Sequence, residues 1–217
     1  MKKIEKESAL VVLSGGQDSS TCLFWAKKHF AFVTTVGFDY GQRHKKELDC
    51  AANICKSADI PFTVLPLPLL NSITKNALTN PTVSIGESPA TTLVEGRNML
   101  FLTYAAIYAK TQNISHLITG VSETDYSGYP DCRQAFIDSL QKTLRLSMEW
   151  DYIIHTPLMK LDKAAVWKMA DELGILDIIK QNSLTCYDGI IGEGCGKCAA
   201  CGLRKKGYEK YLEMKEK

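Results

Sequence analysis

Short apolar runs alternate with amphipathic stretches along this chain. Residues 9–13 (ALVVL) form a continuous apolar run that ends at Ser14-Gly15-Gly16, the pattern of a buried strand entering a tight turn. Residues 20–29 then read as a helix, 32–38 as a strand, 46–58 as an amphipathic helix and 62–65 as a third short strand. A strongly apolar helix follows at 98–110, a strand at 116–119, a helix at 133–148, a strand at 152–155 and a helix at 163–173; a charged helix at 205–215 closes the pattern. Strands alternating with helices of this length predict a parallel sheet with helices on both faces. Right-handed crossovers make it a doubly wound, Rossmann-like α/β fold. Residues 66–96 follow no period and carry Pro66, Pro68, Pro81 and Pro89, so a lid or active-site loop is expected there.

Composition narrows the class. The 217 residues are 45% hydrophobic and 23% charged, with a formal net charge of +2. This suits one packed domain with a small appended subdomain and argues against disorder. The charge is too mild to mark a nucleic-acid binder by itself. The run at 9–13 is far shorter than a signal-peptide core, and no stretch approaches the roughly 20 apolar residues of a membrane span. The expectation is a cytoplasmic protein with neither a membrane nor a nucleic-acid partner.

The turn after the first strand carries the first candidate chemistry: Ser14-Gly15-Gly16-Gln17-Asp18-Ser19-Ser20. Two glycines permit a tight turn and a close backbone approach to a ligand, and the following helix start offers free N–H groups to an anion. Ser14, Ser19 and Ser20 add hydroxyl donors. Asp18 is out of place beside phosphate unless it binds Mg²⁺ or caps the helix. The loop lacks the lysine of a Walker A motif.

Four of the eight cysteines are scattered: Cys22, Cys50, Cys55 and Cys132. The others form Cys186-x8-Cys195-x2-Cys198-x2-Cys201. Three cysteines at this spacing pair poorly among themselves, but with Cys186 they complete a four-sulfur set suited to a closed structural Zn²⁺ site. An iron–sulfur cluster, a redox-active pair and free thiols are the competing readings. The basic stretch 203–206 (LRKK) that follows reads as a solvated face.

Three polar segments fall where such a sheet exposes its ligand crevice: Asp39-Tyr40-Gly41-Gln42-Arg43-His44, Glu95-Gly96-Arg97-Asn98, and residues 120–133 (GVSETDYSGYPDCR). With strand order 3-2-1-4-5, the phosphate loop and the third segment flank the switch point where ligands bind.

The SGGQDSS loop resembles the signature of PP-loop ATP pyrophosphatases, which is shared by several synthetases and tRNA thiolases. The loop, DYGQRH, EGRN, ETDYSGYPDCR, TPLMKLDK and the cysteine tail together resemble the 7-cyano-7-deazaguanine synthase family over nearly the whole chain. The resemblance implies an adenine nucleotide alpha hydrolase type of fold, with a nucleotide-binding domain at 1–180 and a zinc-binding C-terminal subdomain at 181–217. It implies a ligase that uses ATP, Mg²⁺, ammonium and 7-carboxy-7-deazaguanine, carries Zn²⁺ and forms a homodimer. ATP is then expected at Leu13, Ser14, Gly15, Gly16, Gln17, Asp18, Ser19 and Ser20, with catalytic roles for Asp18, Ser19, Arg97 and Lys163. Substrate is expected at Gln42, Arg43, Arg97, Asn98, Glu123, Asp125, Tyr126, Asp131 and Arg133. A guanine-like edge presents N–H donors, so Glu123, Asp125 or Asp131 is expected to read it, and Tyr126 or Tyr129 to stack on the base. The enzyme alternative is a tRNA-thiolating PP-loop enzyme; the non-enzyme alternative is a zinc-ribbon nucleic-acid module.

Overall fold

The computed structural model describes residues 4–73, 76–78, 93–124 and 129–216. Five strands form one parallel sheet in the order β3-β2-β1-β4-β5, as expected. They are β1 (Ile4–Val12), β2 (Phe30–Asp39), β3 (Phe62–Pro66), β4 (His116–Ile118) and β5 (Ile153–His155). The helices are α1 (Gln17–His29), α2 (Lys46–Ala58), α3 (Pro68–Ile73), α4 (Arg97–Thr111), α5 (Gln134–Met148), α6 (Lys163–Glu172), α7 (Leu176–Asn182) and α8 (Ala199–Lys215), with a 3-10 turn at Pro130–Cys132.

β1 lies at the centre, in register with β2 (Leu10 opposite Thr34) and with β4 (Leu10 opposite Leu117). Its run Ala9, Leu10 and Val11 is fully buried, because a central parallel strand has both faces covered. Leu10 points into one core layer with Val36, Leu102, Ala105, Leu117, Ile137 and Leu144, under α4 and α5. Ala9 and Val11 point into the other with Leu23, Ala26, Ile54, Ile118 and Val166, under α1, α2 and α6.

Two element limits differ from the sequence pattern in ways that matter. α1 begins at Gln17 rather than at residue 20, so Asp18 and Ser19 belong to its first turn. α8 begins at Ala199 rather than at 205, so it includes Cys201 and Arg204. α3 and α7 are too short to establish a period and were not expected. Of the loop expected at 66–96, residues 79–92 lie outside the described residues. Its described parts bond to each other, Asn76 Nδ2 donating to Leu93 O at 2.6 Å, and to the body, Arg43 N donating to Leu78 O at 2.8 Å.

The stretch LRKK is not a uniformly solvated face. Lys205 and Lys206 are exposed, but Arg204 is only 5% exposed. Its Nη1 donates to Ser183 Oγ (2.7 Å) and Thr185 Oγ1 (3.0 Å), and its Nη2 to the carbonyls of Ile179 (2.9 Å) and Lys180 (3.1 Å). The guanidinium also stacks over Trp167, 5.1 Å from the ring centre. α8 is thus fastened both to α6 and to the chain leaving α7. Arg204→Met keeps much of the stem but removes every donor. Acceptors left buried without a donor cost about 1–3 kcal/mol each, so a melting temperature lower by roughly 5–15 °C is expected. Calorimetry checks this; an unchanged melting temperature would show that the guanidinium does not hold the segment.

Candidate active site

The phosphate loop joins β1 to α1. Leu13 continues the sheet by donating its N–H to Val36 O at 2.9 Å. Gly15 then takes φ +81°, and a Cβ there would stand 2.3 Å from the carbonyl oxygen of Glu47. Only glycine meets both demands, and the result is that α2 lies directly on the loop. On the other side a Cβ at Gly120 would stand 2.9 Å from Ser19 N, so the chain leaving β4 abuts the first turn of α1. Within the loop, Ser19 Oγ accepts from Ser14 N (3.2 Å) and lies 3.0 Å from Ser14 Oγ.

This loop leaves polar atoms unused. Both amide atoms of Gln17, Oδ1 of Asp18 and Oγ of Ser20 are buried with no partner among the described residues. Buried polar groups are nearly always paired, so three such residues within one turn, at a helix start whose N-cap Gly16 has no side-chain cap, form an environment that a ligand completes. Lys163 Nζ donates to Asp18 Oδ2 at 2.6 Å. Lys163 is held there because Asp162 caps α6, accepting from Ala165 N at 2.9 Å, which makes Lys163 the first helical residue.

Above the loop opens a cavity of about 300 Å³, the lower end of the usual range for small-molecule sites. Leu13, Ser14, Asp18 and Ser19 of the loop line its floor, together with Tyr40, Gln42 and Glu47, Arg97 and Asn98 of α4, and residues 119–122 after β4. Leu184, Thr185 and Tyr187 close it from the C-terminal segment. This wall is fixed to the floor, since Leu184 N donates to Gly15 O at 2.9 Å, and to the turn after β2, through His44 Nε2 and Tyr187 O at 2.9 Å.

Arg97 opens α4. Burial works against its charge but is outweighed by Tyr40, Glu47 and Asp131, so its pKa is raised. Glu47 behaves differently: burial lifts its pKa to about 7, and Arg97 only partly counters this. Asn98 donates its backbone N–H to Asp131 Oδ2 at 3.0 Å. Glu123 Oε2 accepts from Gln134 N at 3.1 Å, at the start of α5. Gln42 folds back on its own turn, accepting from Tyr40 N and donating to Phe38 O.

Of the residues expected from the sequence, Leu13, Ser14, Asp18, Ser19, Gln42, Arg97, Asn98 and Tyr129 meet in this cavity. Gly15, Gly16, Gln17 and Ser20 form the loop behind it, and Lys163 reaches it through Asp18. Glu123, Asp131 and Arg133 stand outside its lining, and Arg43 lines a small adjoining crevice. Asp125 and Tyr126 lie outside the described residues. Tyr40, Glu47 and the 184–187 wall were not singled out. The sequence offers Glu47 only as one acid on an amphipathic helix, and the wall depends on a contact more than 160 residues distant along the chain.

The four clustered cysteines gather their sulfurs within 4.8 Å of one another, an arrangement able to hold a metal ion. Cys195 Sγ and Cys201 Sγ are 4.0 Å apart, near the roughly 3.8 Å separation of a tetrahedral set with 2.3 Å metal–sulfur bonds and far beyond a disulfide. Backbone N–H groups of Asp188 and Cys195 point at Cys186 Sγ, and those of Lys197 and Cys198 at Cys195 Sγ. Burial opposes the Cys186 thiolate, but the N–H groups of Ile190, Asp188 and Cys195 more than offset it, holding the pKa at about 7. These donors fit a site built for thiolate ligands.

Among the described residues no helix is long and apolar enough to cross a membrane. The chain is 54% identical to a 7-cyano-7-deazaguanine synthase of Clostridium novyi (strain NT), over 97% of this chain and 98% of that one. Solved structures share the fold at low identity. A 4-thiouridine synthetase in complex with RNA and ATP has a TM-score of 0.52 at 17% identity, over 97% of this chain and 52% of that one. The U34-tRNA thiolase NcsA of Methanococcus maripaludis, with its [4Fe-4S] cluster, has a TM-score of 0.51 at 12% identity, over 98% and 67%. The sequence profile described as queuosine biosynthesis protein QueC matches residues 8–212, and with it the phosphate loop, the cavity and the four-cysteine cluster: the chain belongs to the QueC family.

Proposed function

We propose that this chain makes 7-cyano-7-deazaguanine from 7-carboxy-7-deazaguanine, ammonium and ATP, in queuosine biosynthesis. The observation that carries this reading is the near-full-length identity of 54% to a relative bearing that name. The cavity supports it chemically. A carboxylate resists ammonia because it has no adequate leaving group. Its oxygen therefore attacks the α-phosphorus of ATP, the bond to pyrophosphate breaks, and the carboxyl group becomes attached to AMP. Ammonia attacks the acyl carbon, and AMP departs with that oxygen, leaving the amide. The amide oxygen repeats the attack on a second ATP. Loss of the two amide protons and departure of AMP leave the nitrile.

Each activation brings one anion onto another, so the site must screen charge. The loop from Leu13 to Ser20 holds the phosphates through its backbone N–H groups and through Ser14 and Ser19. Lys163 and Arg97 supply fixed positive charge on either side. Mg²⁺ fits at Asp18, whose Oδ1 lacks a protein partner; it would supply Lewis-acid neutralisation of phosphate charge. Gln42, Asn98 and Arg97 position the substrate, with Arg43, Glu123, Asp131 and Arg133 at the margin. Residues 181–217 act as a zinc-bearing segment packed on the nucleotide-binding body at 1–180, with Cys186, Cys195, Cys198 and Cys201 as ligands. None of the eight cysteines is in a disulfide, which accords with a cytoplasmic setting. Met99, Tyr104 and Ile107 leave apolar surface exposed on α4 for the second copy of a homodimer.

Two outcomes test this reading. Substrate labelled with heavy oxygen in both carboxylate positions should pass one label into AMP at amide formation and the other at nitrile formation, with pyrophosphate unlabelled. Asp18→Ala should suppress both steps together. Label in inorganic phosphate, with ADP as co-product, would mean phosphorylation and would remove the adenylating role of the loop. For the metal, Cys195→Ser should lose bound zinc by atomic emission and melt well below the parent, because structural zinc contributes about 10–16 kcal/mol in small zinc units. A zinc-free variant with an unchanged melting temperature would exclude a structural role.

A further inference from the structure

The proposed substrate must be told apart from other purine-like bases by its N–H edge, yet two of the acids expected to read that edge are committed elsewhere. Asp131 Oδ2 accepts from the first turn of α4 and Glu123 Oε2 from the first turn of α5. Neither lines the cavity. Among the described residues two carboxylates do line it, Asp18 and Glu47. Asp18 belongs to the phosphate loop and is bound to Lys163.

Glu47 is in a different position. It stands in the first turn of α2, and its own carbonyl oxygen presses on Gly15. The side chain is therefore anchored to the phosphate floor while it borders the cavity. Its carboxylate has no hydrogen bond or ion pair among the described residues. Arg97 is near enough to draw its pKa down, but burial still holds it at about 7. A partly buried acid without a partner is costly, and a ligand entering the cavity supplies one. The phosphates of ATP and the carboxylate of the substrate are anions and do not suit it. Two parallel N–H donors do, because they match the two oxygens of one carboxylate.

We propose that Glu47 is the specificity-determining acid of this site, accepting the ring N–H and the exocyclic amino group of the deazaguanine base. This rests on the substrate assigned above. Ammonium and the adenine amino group are other N–H sources in the same reaction, and kinetics separates the three. In Glu47→Gln one acceptor becomes a donor facing a donor. The kcat/KM for 7-carboxy-7-deazaguanine should fall roughly 10–100-fold, the range for a lost charge-assisted hydrogen bond, while KM for ATP and for ammonium stays within about twofold. An analogue lacking the 2-amino group should be penalised at least about tenfold by the parent protein and only a few-fold by Glu47→Gln.

Unchanged kcat/KM for the base would overturn the proposal. So would a loss confined to KM for ammonium or ATP, since Glu47 would then serve that reactant. If Glu47→Gln does not fold, Glu47→Asp replaces it; it keeps the charge but withdraws it by one methylene. The same pattern at smaller amplitude is expected, and parental kinetics and analogue discrimination would overturn the proposal. Failure of the parent protein to make any nitrile would instead sink the substrate assignment, so the two failures are distinguishable.

Discussion

A guanidinium without a carboxylate partner holds the site together. Arg204 satisfies its donors on the carbonyls that end α7 and on Ser183 and Thr185. Residues 183–187 thereby lie against the phosphate loop, where Leu184 N meets Gly15 O. A charge buried this deeply is tolerated only when fully hydrogen-bonded. The bonds therefore fix the backbone that carries them, and that backbone forms one wall of the cavity. Cys186 follows within one turn and Cys201 precedes Arg204 by three residues, so the four-cysteine cluster grips the same two strands of chain that the arginine pins.

The phosphate loop is correspondingly crowded from behind and open in front. α2 presses on Gly15 and the chain after β4 presses on Ser19, each at a distance that a Cβ would not survive. Rigid backing lets the loop keep polar atoms of Gln17, Asp18 and Ser20 without a partner among the described residues, Asp18 at the cavity and the other two behind it. The opposite end of α1 shows the contrast. There His116 bonds both Glu7 and His155, and Trp25, Phe30 and His29 pack around them. Burial, reinforced by His116, draws the pKa of His155 down to about 4, so that ring stays neutral and this end satisfies its polar groups among themselves, whereas the loop end does not.

Much of this was legible in the sequence. The strand–helix alternation predicts the parallel sheet, because buried parallel strands must be short continuous apolar runs and Ala9, Leu10 and Val11 are one. The loop and the cysteine cluster were legible because backbone geometry demands glycine at one and sulfur ligand chemistry demands fixed spacing at the other. What escaped depends on tertiary contact. Arg204 looks like its neighbours Lys205 and Lys206 in a basic run, and only the extension of α8 back to Ala199 turns it inward. Glu47 looks like any first-turn acid until α2 is seen lying on Gly15. Asp131 and Glu123 carry the right chemistry for a base edge, but the sequence does not reveal that helix starts already draw on them.

The arrangement separates the two jobs that a double activation imposes. On the proposed reading phosphate is bound in the same way twice, and the floor would meet it with backbone donors and Lys163, neither of which depends on whether the attacking oxygen belongs to an acid or an amide. The base must stay in register while its substituent changes from carboxylate to amide, so its anchor has to lie away from the reacting carbon. Glu47 is the group proposed for that anchor: it sits on α2, outside the phosphate loop, and its own main chain, rather than a group proposed to meet phosphate, ties it to the floor.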